Sequence, residues 1–172
     1  RRQMVQDHRT PLIVFSPKSL LRAKQSRSPV SDLLSGTFEE LLRDQTIEDP
    51  ASVKRLLLCS GKVSVEAEAE RDRLGAPVAI ARVEQLYPWP FGAVEEELAR
   101  YPNATEIVWL QEEPENMGPW NAIKGRLYER FEKTHEIRRV SRFESGSPAC
   151  GSVKVHAQEQ VELLDRALSF PS

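Results

Sequence analysis

The sequence has few of the residues that ordinarily build a metal centre or a disulfide scaffold. Its 172 residues include two cysteines and three histidines. Cys59 and Cys150 lie far apart, which argues against a disulfide framework or a short metal-binding motif. None of His8, His135 and His156 has a second histidine three or four residues away, as a helical metal site would require. We therefore expect two reduced thiols, typical of an intracellular compartment, and no metal site.

Long apolar runs and a strong charge of either sign are also missing. The longest apolar runs, PLIVF and RLLLC, are too short to cross a bilayer. The 24 basic and 26 acidic side chains leave a formal charge of -2, which argues against electrostatic binding to nucleic acid or anionic membranes. A content of 40% hydrophobic and 29% charged residues is typical of a globular domain. The predicted partners therefore include neither nucleic acid nor a membrane.

The common nucleotide and nucleophile motifs are absent as well. The sequence contains no G-x-x-x-x-G-K-[ST], no G-x-G-x-x-G and no G-x-S-x-G. The turn CSGK at 59–62 places a lysine after a glycine, as some phosphate-binding turns do, but the pattern is commoner in ordinary strand-to-helix turns. Arginines 138, 139 and 142 could bind an anion, or form a solvated face or a subunit contact. We predict no catalytic and no cofactor-binding residue in this chain.

What the sequence does have is an alternation of apolar runs and amphipathic segments. The run PLIVFSP at 11–17 predicts a buried strand, and residues 36–44 predict a helix that begins at Thr37. From residue 53 onward, strands and helices alternate, and the last helix should point Ala157, Val161, Leu164 and Leu168 inward. Strands that are almost wholly apolar favour a parallel sheet with both faces covered. The predicted fold is therefore α/β, with three layers and a mostly parallel sheet of about five strands between helices. The predicted strands are 11–17, 53–62, 77–88, 106–113 and 135–142.

The segment QEEPENMGPW at 111–120 admits three interpretations. Paired acids could share acid and base catalysis, but Glu112 and Glu113 are neighbours and point to opposite sides of an extended chain. A metal site would need more ligands, and no histidine lies nearby. The segment is best explained as a rigid corner between a strand and a helix, where Gly118 allows a tight turn and Trp120 packs beneath the helix. Such a corner could border a ligand without taking part in chemistry.

The domain organisation predicted from composition is simple. Residues 1–10 are charged and without periodicity, which indicates a lead-in from an upstream domain. Residues 11–172 form one domain. The first residue is Arg1 rather than methionine, so we expect a piece of a longer polypeptide.

Several motifs together resemble one family. Taken in the order in which they occur along the chain, they are similar to the C-terminal region of the decarboxylating first component of the 2-oxoglutarate dehydrogenase complex. The combination of P-K-S-L-L-R, E-Q-L-Y-P and Q-E-E-P-x-N-x-G-x-W is specific to it, and the resemblance covers essentially the whole chain. It implies the fold of a transketolase C-terminal domain. The motifs lie at Pro11–Arg22, Ser35–Leu42, Cys59–Val63, Ala79–Pro90, Val108–Trp120 and Gly151–Leu168.

The resemblance also implies a function for the full polypeptide. Such enzymes decarboxylate 2-oxoglutarate with thiamine diphosphate and Mg²⁺, which upstream domains hold, and pass the succinyl group to lipoamide on a succinyltransferase component in the tricarboxylic acid cycle. They act as homodimers, in the bacterial cytoplasm or the mitochondrial matrix. This chain would be inert alone and would support the dimer and the frame of the active site. The alternatives are the C-terminal domain of another thiamine-diphosphate enzyme and a regulatory module.

The regulatory alternative rests on three residues. Some members of the family bind a nucleotide or acetyl-CoA on this domain, and the matching positions are Arg1 or Arg2 in RRQ and Gln85 in EQLYP. The arginines of the acetyl-CoA pattern are replaced here by Gly92 and Ala93. The resemblance therefore implies a site for an anion or a nucleotide rather than for acetyl-CoA.

Overall fold

The computed structural model of the protein describes residues 2–8 and 10–170. The chain divides into two compact units, Arg1–Glu39 and Glu40–Ser172, while the predicted boundary after residue 10 stays a prediction. The described part of the first unit contains short 3-10 turns and one helical turn, α1. These elements are Arg2–Val5, Lys18–Leu20, Lys24–Ser26 and α1, Ser31–Leu34.

The second unit is built on a five-stranded sheet. Four strands are parallel, and the short first strand is antiparallel to its neighbour at one edge. The spatial order is β1-β3-β2-β4-β5. The prediction of a mostly parallel sheet of about five strands is therefore confirmed. The strands are β1 Leu41–Leu42, β2 Arg55–Cys59, β3 Val78–Val83, β4 Glu106–Pro114 and β5 Glu136–Arg142.

Helices cover both faces of this sheet, as predicted. The central strand β2 sends Leu56 and Leu58 into one core and Leu57 and Cys59 into the other, which explains why its sequence is apolar without alternation. The first core is closed by α3 and α4, the second by α2 and α5. Gly75, at a φ of 62°, ends α2 in the left-handed conformation, as predicted. The helices are α2 Val63–Leu74, α3 Phe91–Ala99, α4 Trp120–Phe131 and α5 Val153–Leu168.

The predicted first strand at 11–17 is wrong. The structure assigns no strand there, and the side chains of Leu12–Phe15 are 66% to 95% exposed. A buried strand needs backbone partners on a neighbouring strand as well as apolar side chains. The described part of the chain supplies no such partner for this run.

The predicted helix at 36–44 is also wrong, because its end is extended and forms β1. Leu41 and Leu42 pair with the end of β3, and Leu41 is buried in the core. The Asp44 carboxylate accepts a hydrogen bond from the backbone N–H of Ile80 at 2.9 Å, which continues the ladder with a side-chain oxygen. These tertiary contacts outweigh the local preference for a helix.

The rotation of α5 differs from the prediction as well. Leu168 is buried and Leu164 is partly buried, but Ala157 is exposed and Val161 is 69% exposed. Leu163 and Ala167 face the core instead. The reason is that Gln160, which shares the helix face of Leu163, points inward to Arg142 on β5 and Glu66 on α2.

Candidate functional site

Polar side chains gather at one edge of the sheet. Because β2, β3, β4 and β5 run parallel, their carboxyl ends lie along the same edge, which is where open α/β sheets bind ligands. We call the cluster found there the carboxyl edge. It consists of Lys62, Glu66, Glu112, Arg142, His156, Glu159 and Gln160.

The lysine in the turn after β2 is held between two glutamates. Gly61, at a φ of 75°, turns the chain into α2. The Nζ atom of Lys62 donates to Glu112 at 2.9 Å and also to Glu66, one turn along α2. Burial lowers the pKa of Lys62, but the hydrogen bonds to both glutamates outweigh burial and leave the pKa raised. Lys62 is therefore a cation whose charge is compensated within the chain.

The arginine at the end of β5 joins this lysine group to α5. Nη2 of Arg142 donates to Nδ1 of His156 and to Oε1 of Gln160, each at 3.0 Å. Its Nε lies 3.6 Å from the Glu159 carboxylate. The amide nitrogen of Gln160 in turn donates to Glu66 at 2.5 Å. A continuous set of polar contacts therefore runs from the turn after β2 to the end of β5.

The sequence indicates only part of this network. Lys62 and Glu66 are four residues apart on a helix, a spacing that favours an ion pair. The contact of Gln160 with Glu66 joins residues 94 positions apart, and no local pattern predicts it. The three arginines of β5, considered above as anion ligands, each face a glutamate. The pairs are Arg138–Glu106 at 3.3 Å, Arg139–Glu115 at 2.8 Å and Arg142–Glu159 at 3.6 Å.

The segment 111–120 is the predicted corner between strand and helix, and Gln111 organises it. The Gln111 side chain is buried, and its Oε1 accepts hydrogen bonds from Nε1 of Trp109 at 3.0 Å and from the backbone N–H of Trp120 at 3.2 Å. Its Nε2 donates to the carbonyls of Pro114 at 3.1 Å and Met117 at 2.8 Å. One amide side chain thus joins the end of β4, the turn and the start of α4.

The two glutamates of this corner do not form a catalytic pair. Glu112 points to Lys62, whereas Glu113 is exposed. Gly118 has a φ of 70°, and a Cβ there would lie 2.9 Å from Nε2 of Gln111. The corner is therefore a close-packed structural element.

The predicted regulatory residues are only partly covered by the structure. Arg1 lies outside the described residues, as does the side chain of Arg2. Gln85 follows β3, and its Nε2 donates to Glu40 and to the Pro88 carbonyl, each at 3.0 Å. An anion site formed by these residues stays a prediction.

A second polar feature is an open cleft of about 660 Å³ beside the amino end of β2. Arg71 lies in it, but its guanidinium already pairs with the carboxylates of Asp44 and Asp72. Glu48 and Asp49 also line the cleft. Acidic walls around a neutralised arginine do not fit an anionic ligand.

The residues described here do not fit the thiamine diphosphate and Mg²⁺ that the family resemblance implies for the full enzyme. Within 2–8 and 10–170, no group of three or more His, Cys, Asp or Glu side chains is placed to hold a metal ion. At the carboxyl edge, Glu66 and Glu112 surround Lys62 and would repel a diphosphate. None of the described helices is both long and apolar enough to cross a membrane.

A family model and individual relatives identify the same family. The family model for the 2-oxoglutarate dehydrogenase C-terminal region matches residues 27–168. The chain is 42% identical over 170 residues to the 2-oxoglutarate dehydrogenase E1 component of Cupriavidus necator, covering 98% of this chain and 18% of the relative. It is 40% identical to the E1 component of Haemophilus influenzae, covering 99% and 18% respectively. The chain thus spans less than a fifth of the length of these relatives.

Relatives with a different name are equally similar. The 2-oxoadipate dehydrogenase complex component E1 of Xenopus laevis is 42% identical over 175 residues, covering 98% of this chain and 18% of the relative. A solved split-gene transketolase, described as an inactive β4 tetramer, overlaps 67% of this chain and 38% of its own, with a TM-score of 0.47 and 16% identity. The match over 27–168 is the finding that decides the family: the chain belongs to the 2-oxoglutarate dehydrogenase C-terminal family.

Proposed function

We propose that this chain is the C-terminal domain of a thiamine-diphosphate-dependent 2-oxoglutarate dehydrogenase. The full polypeptide would decarboxylate 2-oxoglutarate and pass the succinyl group to a lipoyl-bearing succinyltransferase component of the same complex. The observation that supports this proposal is the family match over residues 27–168, together with about 40% identity to bacterial E1 components over nearly the whole chain.

Within that enzyme, we assign to this domain a supporting role. Its charged groups at the carboxyl edge are paired with one another, as in the contacts of Lys62 with Glu112 and of Arg142 with Glu159. Side chains compensated in this way stabilise the shape of a surface, and their paired cations are not free to bind a diphosphate. The domain would therefore frame an active site whose cofactor ligands lie upstream, contribute to a homodimer, and be inert alone.

Sequence identity in this domain gives no information on which 2-oxo acid the full polypeptide would use. The 2-oxoadipate component of Xenopus laevis and the 2-oxoglutarate component of Cupriavidus necator are both 42% identical to this chain. Similarity in this domain therefore does not distinguish the two acids. Relatives include bacterial proteins and a mitochondrial one from Caenorhabditis briggsae, which supports action in the bacterial cytoplasm or the mitochondrial matrix.

The test is an assay of the full polypeptide with thiamine diphosphate, Mg²⁺ and ferricyanide as electron acceptor. We expect ferricyanide reduction with 2-oxoglutarate and none with the 172-residue chain alone. The matched substrate control is 2-oxoadipate. Failure of the full polypeptide to turn over 2-oxoglutarate would contradict the proposed reaction, and turnover by the 172 residues alone would contradict the supporting role.

A second candidate function is the regulatory anion or nucleotide site at Arg1, Arg2 and Gln85. What favours it is the position of Gln85 directly after β3, at the sheet end where ligands bind. Calorimetry of the full polypeptide with AMP and with acetyl-CoA tests it, and we expect heat with AMP only. A Gln85→Ala variant should weaken that binding, and the absence of heat with AMP would remove this candidate.

A further inference from the structure

Within residues 2–8 and 10–170, nothing covers the side chains of the apolar run Leu12–Phe15. Its four side chains are 66%, 78%, 68% and 95% exposed. Side chains of an extended chain alternate between two faces, so four consecutive apolar residues place apolar groups on both. An edge or surface strand would alternate with polar residues, and contiguous exposed apolar patches mark interaction sites. The run therefore has the sequence of a strand that is buried on both faces.

The backbone of the same run is unpaired as well. Among the described residues, no backbone hydrogen bond involves the N–H or C=O groups of Leu12–Phe15. The first such bond after the run is accepted by the Pro17 carbonyl from Leu20, at 3.1 Å. Backbone groups cannot be buried without partners. Burial of the run therefore requires a surface that supplies both apolar contacts and hydrogen bonds, and an open sheet edge supplies both.

We propose that Leu12–Phe15 docks as an added strand on the part of the same polypeptide that precedes this chain in the full protein. This inference rests on the proposed function, because it places the chain at the C-terminal end of a longer enzyme. The chain spans 18% of one relative and 14% of another, so most of the polypeptide would lie upstream of it.

The covalent connection within one polypeptide favours the upstream part as the partner over a second copy of the chain. The run and the upstream part would belong to one polypeptide. A short connection within one chain holds the parts that it joins at an effective concentration on the order of millimolar. A separate molecule would have to be present at that concentration to compete.

Hydrogen exchange on the unmodified full polypeptide tests the proposal directly. A strand added to a sheet edge pairs only alternate residues with its one neighbour. We therefore expect either the amides of Ile13 and Phe15 or the amide of Val14 to exchange at least about tenfold more slowly than unstructured amides, since paired strand amides open rarely. Exchange of all three amides at the unstructured rate would overturn the proposal. The measurement does not depend on 2-oxoglutarate turnover, so a failure of the proposed reaction remains distinguishable from a failure of docking.

A photo-crosslinker identifies the partner. Benzoylphenylalanine in place of Phe15, which is 95% exposed, should form an adduct within one chain, to residues upstream of residue 1. An adduct between two copies, an adduct to residues 40–172, or no adduct would each overturn the proposal.

Two equally exposed valines distinguish the loss of docking from the general effect of placing a charge on an exposed apolar residue. Val14 is 68% exposed and Val30 is 69% exposed, and both lie in the first unit. We expect Val14→Asp to lower the melting temperature of the full polypeptide and Val30→Asp to leave it unchanged. Equal effects of the two substitutions would contradict a specific role for the run.

Discussion

Burial separates the two thiols of this protein. Cys59 lies on the central strand with no exposed surface, whereas Cys150 is partly exposed. Burial raises the pKa of the Cys59 thiol to about 12, with a further contribution from Glu68. We predict that Cys150 reacts with a thiol reagent at pH 8 and that Cys59 reacts only after unfolding. Mass spectrometry of the labelled protein, with Cys150→Ser as control, measures this. Rapid labelling of Cys59 in the folded protein would contradict it.

The same shift gives stability a pH dependence. A thiol whose pKa is raised on folding contributes fully below its unfolded pKa of about 8.5, and that contribution is lost as the pH rises toward the folded value. Between pH 7 and pH 10 the urea midpoint of the parent should therefore fall more than that of Cys59→Ala, which has no thiol to ionise. Equal falls would show that another group is responsible.

Among the structural elements, the corner between β4 and α4 offers a sharp test of packing. Gly118→Ala would place a methyl group in the left-handed region and within 3.1 Å of the Glu113 side chain. We expect a loss of about 1–3 kcal/mol in the free energy of unfolding. Gly125→Ala is the matched control, since a Cβ there meets nothing within 4 Å and α4 is helical. This control should gain up to about 1 kcal/mol. Urea unfolding of both variants measures the difference, and a loss in both would contradict the packing argument.

Side chains from two helices bind backbone carbonyls at the outer edge of β5, the last strand of the described sheet. Oη of Tyr128 on α4 donates to the Ile137 carbonyl at 3.3 Å, and Nη2 of Arg166 on α5 donates to the Ser141 carbonyl at 2.6 Å. Such carbonyls are otherwise available to a strand of another molecule. The two side chains therefore protect the sheet against edge-to-edge association.

We predict that Arg166→Met increases aggregation. The variant frees the Ser141 carbonyl, while Arg130→Met removes the same charge from the exposed surface of α4. Light scattering at increasing protein concentration should rise for the first variant and not for the second. Equal scattering by both would show that loss of charge, rather than exposure of the edge, is the cause.

The elements from residue 53 onward could be predicted from sequence because local and tertiary preferences agree there. The apolar runs that became β2, β3 and β4 are buried on both faces, and Gly75 ends a helix whose pattern was already clear. At 36–44 the two preferences conflict, since the carboxylate of Asp44 reaches Ile80, 36 residues away. The polar cluster at the carboxyl edge could not be predicted from the sequence either. Gln160 contacts Arg142 and Glu66 only after the sheet has formed.

At the scale of the whole molecule, Arg55 connects the central strand, β2, with the last helix, α5. Its guanidinium donates to the Ala167 carbonyl, 112 residues away, at 2.6 Å and to the Ser169 carbonyl at 3.1 Å. Nε donates to Glu106 at 2.8 Å, and the ring of Phe170 lies 4.2 Å below the guanidinium carbon. One buried side chain thus fastens the end of α5 to the sheet.

We predict that Arg55→Met costs about 3–5 kcal/mol in the free energy of unfolding, because it leaves the Glu106 carboxylate without its buried partner. The contact of Arg138 with Glu106 at 3.3 Å should hold the loss near the lower end. Urea unfolding measures it. The double variant Arg55→Met with Glu106→Gln should recover part of the loss, and a double variant less stable than Arg55→Met alone would contradict the pairing.

The placement of the aromatic rings has a practical consequence. All three tryptophans of the chain are at least nine-tenths buried. Trp89 and Trp109 meet edge to face at 6.4 Å between ring centroids, and the indole N–H of Trp109 donates to Gln111. Intrinsic fluorescence therefore originates almost entirely from around the corner that Gln111 organises. A red shift in the emission of this chain would report the opening of that corner without any added dye.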